Sequence, residues 1–261
     1  MSGADTGIAP DLRVVVTAGA RGIGRATVEG LLEHGARVHL CDISAEAIAE
    51  CRASLPDVTA SVVDVAAVDQ VDAFFDAALD ALGGLDVLVN NAGIAGPTAG
   101  VQDITVEDWD RTVAVNLNSQ FYCARRAVPA LRESGRGALI NLSSVAGRLG
   151  YAYRSVYSAT KWAVIGFTQS LAQELGPDGV RVNAILPGVV DGDRFESVVT
   201  ARAAALGRTF DEVAEEYVSH VSLRRKVTNR DVANMILFLC SEAGRNVSGQ
   251  SLGVCGNVEV I

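Results

Sequence analysis

The sequence is poor in the residues that build metal centres and disulfide frameworks. It has three histidines, His34, His39 and His220, with no HExxH pairing, and so no pattern for a metal. Its five cysteines (Cys41, Cys51, Cys123, Cys240, Cys255) are odd in number, scattered and without CxxC spacing. That excludes a disulfide scaffold or zinc knuckle and fits reduced thiols in the cytoplasm. Long apolar runs are also missing. The longest, such as Val14–Val16 and Val87–Val89, are strand-sized and far below the roughly 20 residues that span a bilayer, so no membrane partner is expected. Residues 1–10 lack a cationic stretch followed by an apolar one, and read as a loose tail rather than a secretory signal. Basic residues are outnumbered 22 to 31, a net charge of −9, which argues against a nucleic-acid binder. No GxSxG elbow is present, which disfavours an acyl hydrolase.

What is there is a 261-residue chain, 49% hydrophobic and 20% charged, in the range of one globular domain, here 11–261. Short β-branched runs alternate with helical patterns. Strands are predicted at Arg13–Thr17, Arg37–Asp42, Thr59–Asp64, Val87–Asn90, Ala138–Ser143, Arg181–Leu186 and Leu252–Cys255. Each is apolar almost throughout, as parallel strands covered on both faces are. Helices are predicted at Arg25–His34, Ala45–Ala53, Asp69–Leu82, Val106–Glu133 as one helix and a second kinked or broken near Pro129, Val156–Leu175 and Arg230–Cys240. The alternation implies an α/β fold, a single doubly wound parallel sheet of about seven strands. The exception is a polar helical insert at 191–228, whose Asp191–Glu216 part holds seven acids and three arginines. An insert at the carboxyl end of a strand is placed to cover a ligand cleft; a solvated helical hairpin is the alternative.

The first predicted strand runs into Thr17-Ala18-Gly19-Ala20-Arg21-Gly22-Ile23-Gly24 and then a helix. Glycines in such a turn let backbone N–H groups approach a pyrophosphate at the helix N-terminus. Asp42 closes the second strand, 18 residues beyond Gly24. A carboxylate there accepts hydrogen bonds from ribose hydroxyls and repels a 2′-phosphate, which favours NAD over NADP. Arg21 is the counter-signal, since an arginine in this turn could reach that phosphate.

The turn resembles the Thr-Gly-x-x-x-Gly-x-Gly pattern of the short-chain dehydrogenase/reductase family, and the likeness covers nearly the whole chain. It departs at Ala18, where the family usually has glycine, with Gly19 one place later. Asn90-Asn91-Ala92-Gly93 matches the family segment after the fourth strand, and Pro187-Gly188 the one after the sixth. The resemblance implies a Rossmann-type fold and a homotetramer or homodimer. It also implies a nicotinamide cofactor touched by Gly19, Arg21, Gly22, Ile23, Gly24 and Asp42. Further implied contacts are Asp64 and Val65 at the adenine, Asn91, Ala92 and Gly93 beside the cofactor, Tyr157 and Lys161 at the nicotinamide and its ribose, and Pro187, Gly188 and Val190 at the nicotinamide.

Tyr157-Ser158-Ala159-Thr160-Lys161 puts a phenol and an ammonium on one helix face, at i and i+4. Removing a proton from an alcohol needs a base. Tyrosine, with a pKa of about 10, becomes one when a nearby cation stabilises the phenolate. Ser144 lies 13 residues before Tyr157, the placement of the family's catalytic serine, with Ser143 the neighbouring alternative expected to face the other way. Asn116 matches the family's helix asparagine, which the resemblance gives a water-holding role in a proton relay from Lys161.

The resulting expectation is an NAD-dependent enzyme interconverting a small secondary alcohol and its ketone, with no metal. Alternatives are a 3-oxoacyl-thioester reductase using NADP and a non-catalytic nucleotide sensor on the same fold. Arg148, Tyr151, Arg154 and Arg194 are candidate substrate contacts. An arginine among them could clamp an anionic group, or sit on the surface instead.

Overall fold

The computed structural model of the chain describes residues 7–258. Val14, Val15 and Val16 are fully buried although consecutive, which requires cover on both faces of their strand. Seven strands provide that setting: β1 (Arg13–Thr17), β2 (Arg37–Asp42), β3 (Thr59–Val62), β4 (Val87–Asn90), β5 (Ala138–Leu142), β6 (Arg181–Pro187) and β7 (Ser251–Val254). They form one parallel sheet in the order β3-β2-β1-β4-β5-β6-β7. Successive side chains enter opposite cores. Val14 and Val16 pack with Leu31, Ile236 and Leu237 from one helical layer, while Val15 packs with Phe75, Leu88 and Leu131 on the other face.

The helices are α1 (Gly22–Glu33), α2 (Ala45–Ser54), α3 (Val68–Leu82), α4 (Val106–Val113), α5 (Ser119–Glu133), α6 (Ser155–Leu175), α7 (Asp193–Leu206), α8 (Phe210–Ser219) and α9 (Asn229–Cys240). Two expectations need correction. The 106–133 stretch does not break at Pro129, which lies well inside α5. Flanking Ala127 and Leu131 are fully buried, so packing outweighs the one lost backbone bond. The irregularity is instead a π-helical turn at Ala114–Asn118, beneath the site described below. Of the expected tail, residues 1–6 lie outside the described part, and 7–10 are tied down. Glu242 N donates to Gly7 O (2.8 Å) and Ile8 packs against the core.

Asp86 joins three strands at the amino end of the sheet. Its side chain is fully buried and accepts from Arg13 N (2.8 Å), Arg13 Nη2 (2.7 Å) and Arg136 Nη2 (3.0 Å). Its backbone bonds Arg13 O and Ala138 N. Burial alone would raise this carboxyl; the hydrogen bonds from Arg13 and Arg136 overcome that and hold it at about 2.

The insert carries its own small core of Val199, Ala203, Val213 and Tyr217. Thr209 and Glu212 form a capping box at the start of α8. Among the insert's acids, Asp191 is paired internally with Lys226 and Glu216 with Arg202 and Arg208.

Asp86→Ala should cost about 3 kcal/mol of stability, since it strands the Arg13 N–H and guanidinium. The carboxyl titrates lower folded than unfolded, where it is about 3.9. The wild-type advantage is therefore complete above pH ~4 and fades as pH falls toward 2. Urea unfolding of both proteins across that range measures it. An advantage unchanged by acid would contradict this account.

Candidate active site

The order of the sheet reverses between β1 and β4, leaving a crevice at their carboxyl ends, where open parallel sheets bind ligands. A cavity of about 520 Å³ opens there. It runs from Arg21, Gly22 and Asp42 at one end, past Asn91, Tyr157 and Pro187, to the insert.

The first turn is held by Asn91. Its Nδ2 donates to Thr17 O (3.0 Å) and Ala18 O (2.9 Å), while Thr17 Oγ1 accepts from Asn91 N and Ala92 N (3.0 Å each). Ala18 itself takes the left-handed conformation (φ 48°) that glycine would adopt more cheaply. Gly19 serves a different need: a Cβ there would lie 2.7 Å from Leu40 Cβ, and one on Gly24 would lie 2.2 Å from Ala18 O. The absence of glycine at residue 18 is thus met by strain in the alanine.

Helix α1 begins with no side-chain cap and no acidic residue in its first turn. Its first-turn N–H groups, at Gly22 and Ile23 on the cavity wall, are placed where they could hold an anion. Asp42 accepts from Ala20 N (3.3 Å) and Ser44 N (3.2 Å), which fixes its carboxylate beside the turn. Arg21 reaches toward Glu50 (3.4 Å). Helix-terminal N–H groups for phosphate and a carboxylate for vicinal hydroxyls suit a dinucleotide.

Other expected cofactor residues lie differently. Pro187, Gly188 and Val190 line the cavity. Ala92 is buried, and Gly93 keeps space open, since a Cβ there would lie 3.2 Å from Asn116 Oδ1 and 3.4 Å from Lys161 Nζ. Asp64 pairs with Arg111 (3.0 Å) and Val65 belongs to the core; neither lines the cavity.

Tyr157 and Lys161 project from α6 toward the end of β5. Lys161 is 3% exposed and donates from Nζ to Leu142 O (2.8 Å), 5.7 Å from the centre of the Tyr157 ring. Burial lowers its pKa, with the facing Tyr157 opposing. For Tyr157, burial pushes the phenol up, but Lys161, Arg194, the Ser144 hydroxyl and Arg154 together bring it below the ordinary value. Ser143 Oγ donates to Lys161 O (2.7 Å), so the neighbouring serine is engaged with the α6 backbone. Asn116 sits on the π-helical turn, with Oδ1 accepting from Ile94 N (2.8 Å) and Nδ2 donating to Ile94 O (3.1 Å) and Thr160 Oγ1 (3.3 Å).

At the outer end, Tyr151, Arg154 and Arg194 line the cavity. Arg148 does not: it is exposed and donates to Ser251 O (2.8 Å) on β7. Phe195 of the insert, next to Arg194, lines the cavity too, and residues not anticipated are Val198 and Tyr217. The hydroxyls of Tyr151 and Tyr217 are hydrogen-bonded to each other, and Arg202 stacks on both rings. The spacing of Val213 and Tyr217 was a usable signal, since i and i+4 share the buried face of α8. Among the described residues no group of three His, Cys, Asp or Glu could hold a metal, and no helix could cross a membrane.

A family model described as enoyl-(acyl carrier protein) reductase matches residues 17–257. The L-2,3-butanediol dehydrogenase of Corynebacterium glutamicum is 37% identical over 251 residues, covering 94% of this chain and 97% of that one. The 3-oxoacyl-[acyl-carrier-protein] reductase of Staphylococcus aureus is 34% identical over 249 residues, covering 94% and 96%. The solved structure of NAD+-bound xylitol dehydrogenase superposes with a TM-score of 0.92 at 27% identity, over 96% of this chain and 99% of that one.

Replacing Lys161 by Met should raise the Tyr157 pKa, because the phenolate loses the positive charge that stabilises it. Ultraviolet difference titration against a Tyr157→Phe background isolates this phenol from the other four tyrosines. An unmoved titration would show that the ammonium does not act on it.

Proposed function

The chain belongs to the short-chain dehydrogenase/reductase family, and from that premise we propose that it interconverts a secondary alcohol and its ketone with NAD as cofactor. The observation that carries this reading is the Tyr157 phenol, set beside Ser144 and Lys161 at the carboxyl end of β5 with its pKa brought down.

The nicotinamide supplies the hydride acceptor in oxidation and the donor in reduction. The N–H groups at Gly22 and Ile23 would hold the pyrophosphate, Asp42 the adenosine ribose, and Pro187, Gly188 and Val190 the nicotinamide end. Gly19 and Gly24 shape the turn, Asn91 and Ala92 brace it from the loop after β4, and Gly93 leaves space beside Lys161, whereas Asp64 and Val65, outside the cavity, are given no cofactor contact. Asp42 supports NAD over NADP, and the Arg21–Glu50 contact keeps the competing arginine engaged elsewhere.

Tyr157 acts as general base in oxidation, taking the hydroxyl proton, and as general acid in reduction. Ser144 donates a hydrogen bond to the reacting oxygen and stabilises the charge that develops there. Lys161 stabilises the phenolate. Both side-chain N–H donors of Asn116 are already used. Its carboxamide therefore positions the loop after β4 against α6, and a relay water would share Oδ1 with the Ile94 N–H that already donates to it. Free buried thiols support a reducing compartment, the cytoplasm. Exposed Phe121 and Trp162 on α5 and α6 support a homo-oligomer, a tetramer or dimer. Reduction of a 3-oxoacyl thioester with NADPH is the second reading, favoured by the Staphylococcus aureus relative; Asp42 opposes it.

Tyr157→Phe should lose about 10²- to 10⁴-fold in kcat while still binding NAD in a fluorescence titration; near-normal turnover would refute the assignment. The rate of alcohol oxidation should rise with pH and level off below pH 10, because the base must be deprotonated and its pKa is lowered. Asp42→Ser should shift the kcat/KM ratio toward NADP by at least about tenfold. A wild-type enzyme that already prefers NADP would overturn the cofactor assignment.

A further inference from the structure

Arg154 is 3% exposed, yet no carboxylate lies within ion-pairing distance of it among the described residues. Its Nη2 donates to Ala95 O (2.8 Å), and its Nε is buried with no partner. The guanidinium lies 4.7 Å from the ring centre of Tyr157 and 5.0 Å from that of Tyr151, on the wall of the cavity. The Tyr151 hydroxyl is hydrogen-bonded to Tyr217, and the guanidinium meets Tyr151 through the face of its ring. A buried cation satisfied only by π faces and one carbonyl is costly unless an anion arrives to pair with it.

The other charges facing this end have the same bias. Lys161 is buried beside Tyr157, and Arg194, at the mouth, donates to Gly93 O (2.5 Å) with no acidic partner. Of the acids, Asp191 is paired with Lys226 and Glu216 with Arg202 and Arg208, which leaves Asp193, exposed at the start of α7. In a chain of net charge −9, a pocket end with three cations against one unpaired acid is a local construction.

We propose that the alcohol accepted here is a short hydroxy acid whose carboxylate is held by Arg154, with Arg194 guiding it at the mouth. This rests on the oxidoreductase reading above. The planar guanidinium fork matches a carboxylate through two parallel hydrogen bonds. Because the same guanidinium covers the Tyr157 ring, the carboxylate sits only a few bonds from the carbon whose hydroxyl faces the phenol. Arg154 is thereby a specificity-determining residue.

The test uses the full chain with short 2- and 3-hydroxy acids, each paired with its neutral methyl ester. Wild-type kcat/KM should favour the acids by at least about 100-fold, as a buried charge-assisted pair would give. In Arg154→Gln that acid-to-ester ratio should collapse toward one, mainly through KM for the acid. Arg154→Lys should restore part of it. The ratio cancels any common loss from an altered Tyr157. Equal use of acids and esters by the wild type, or an unchanged ratio in the variant, would overturn the inference while leaving the oxidoreductase reading intact. A second arm measures the Tm shift with a short branched carboxylate lacking the hydroxyl. A shift in wild type that Arg154→Gln abolishes supports the anion site even if no alcohol is turned over, in which case the catalytic reading fails alone. A stronger shift with a phosphate ester than with the carboxylate would overturn the assignment of ligand class.

Discussion

A dry ammonium is the constraint on which this site depends. Lys161 has lost nearly all its water, and its Nζ is held by the carbonyl of Leu142 at the end of β5. That carbonyl also accepts from Gln120 Nε2 (3.3 Å), so α5, β5 and α6 meet at one oxygen. A second buried chain lies close by in sequence, Asn90 donating to Asn141 and Asn141 to Thr168 (3.0 Å each). In so apolar a setting the charge is expensive, and what offsets it is a fixed ladder of dipoles together with the neighbouring phenol. The arrangement that keeps the lysine tolerable is the one that makes the tyrosine acidic.

The cofactor end of the crevice rests on neutral groups. Thr17 and Asn91 exchange hydrogen bonds across the switch point, and the turn they hold is tight enough to force Ala18 into a left-handed conformation. Nothing in that turn carries net positive charge toward the cavity except Arg21, which leans on Glu50. An acidic protein can therefore bind an anionic cofactor through backbone N–H groups and a helix terminus, a mechanism that formal charge does not register.

The insert is attached to this frame chemically as well as sterically. Tyr217 of α8 meets Tyr151, Arg202 lies against both, and Phe195 of α7 packs edge-on to Tyr217. The insert is thus fastened to the segment that leads into α6, and its ring-and-cation cluster adjoins Arg154. Of its seven acidic residues, Asp191 and Glu216 are held in ion pairs within the insert, with Lys226 and with Arg202 and Arg208.

Most of the fold was legible in the sequence because its signals are local. Runs of β-branched residues, a glycine past a helix and the i, i+4 spacing of Tyr157 and Lys161 depend only on near neighbours. The strand boundaries follow, and so does the meeting of phenol and ammonium on one face. Pro129 misled for the same reason: its local meaning is a break, and the packing of Ala127 and Leu131 overrules it. What only the tertiary structure decided are matters of burial and long-range pairing. Arg148 turns away to β7 while Arg154, six residues on, is sealed against Tyr157; Asp64 is claimed by Arg111; Asp86 gathers Arg13 and Arg136. The sequence presents these as interchangeable charged residues. Their free energies separate only when folding sets how much water each one loses and which opposite charge, if any, comes within reach.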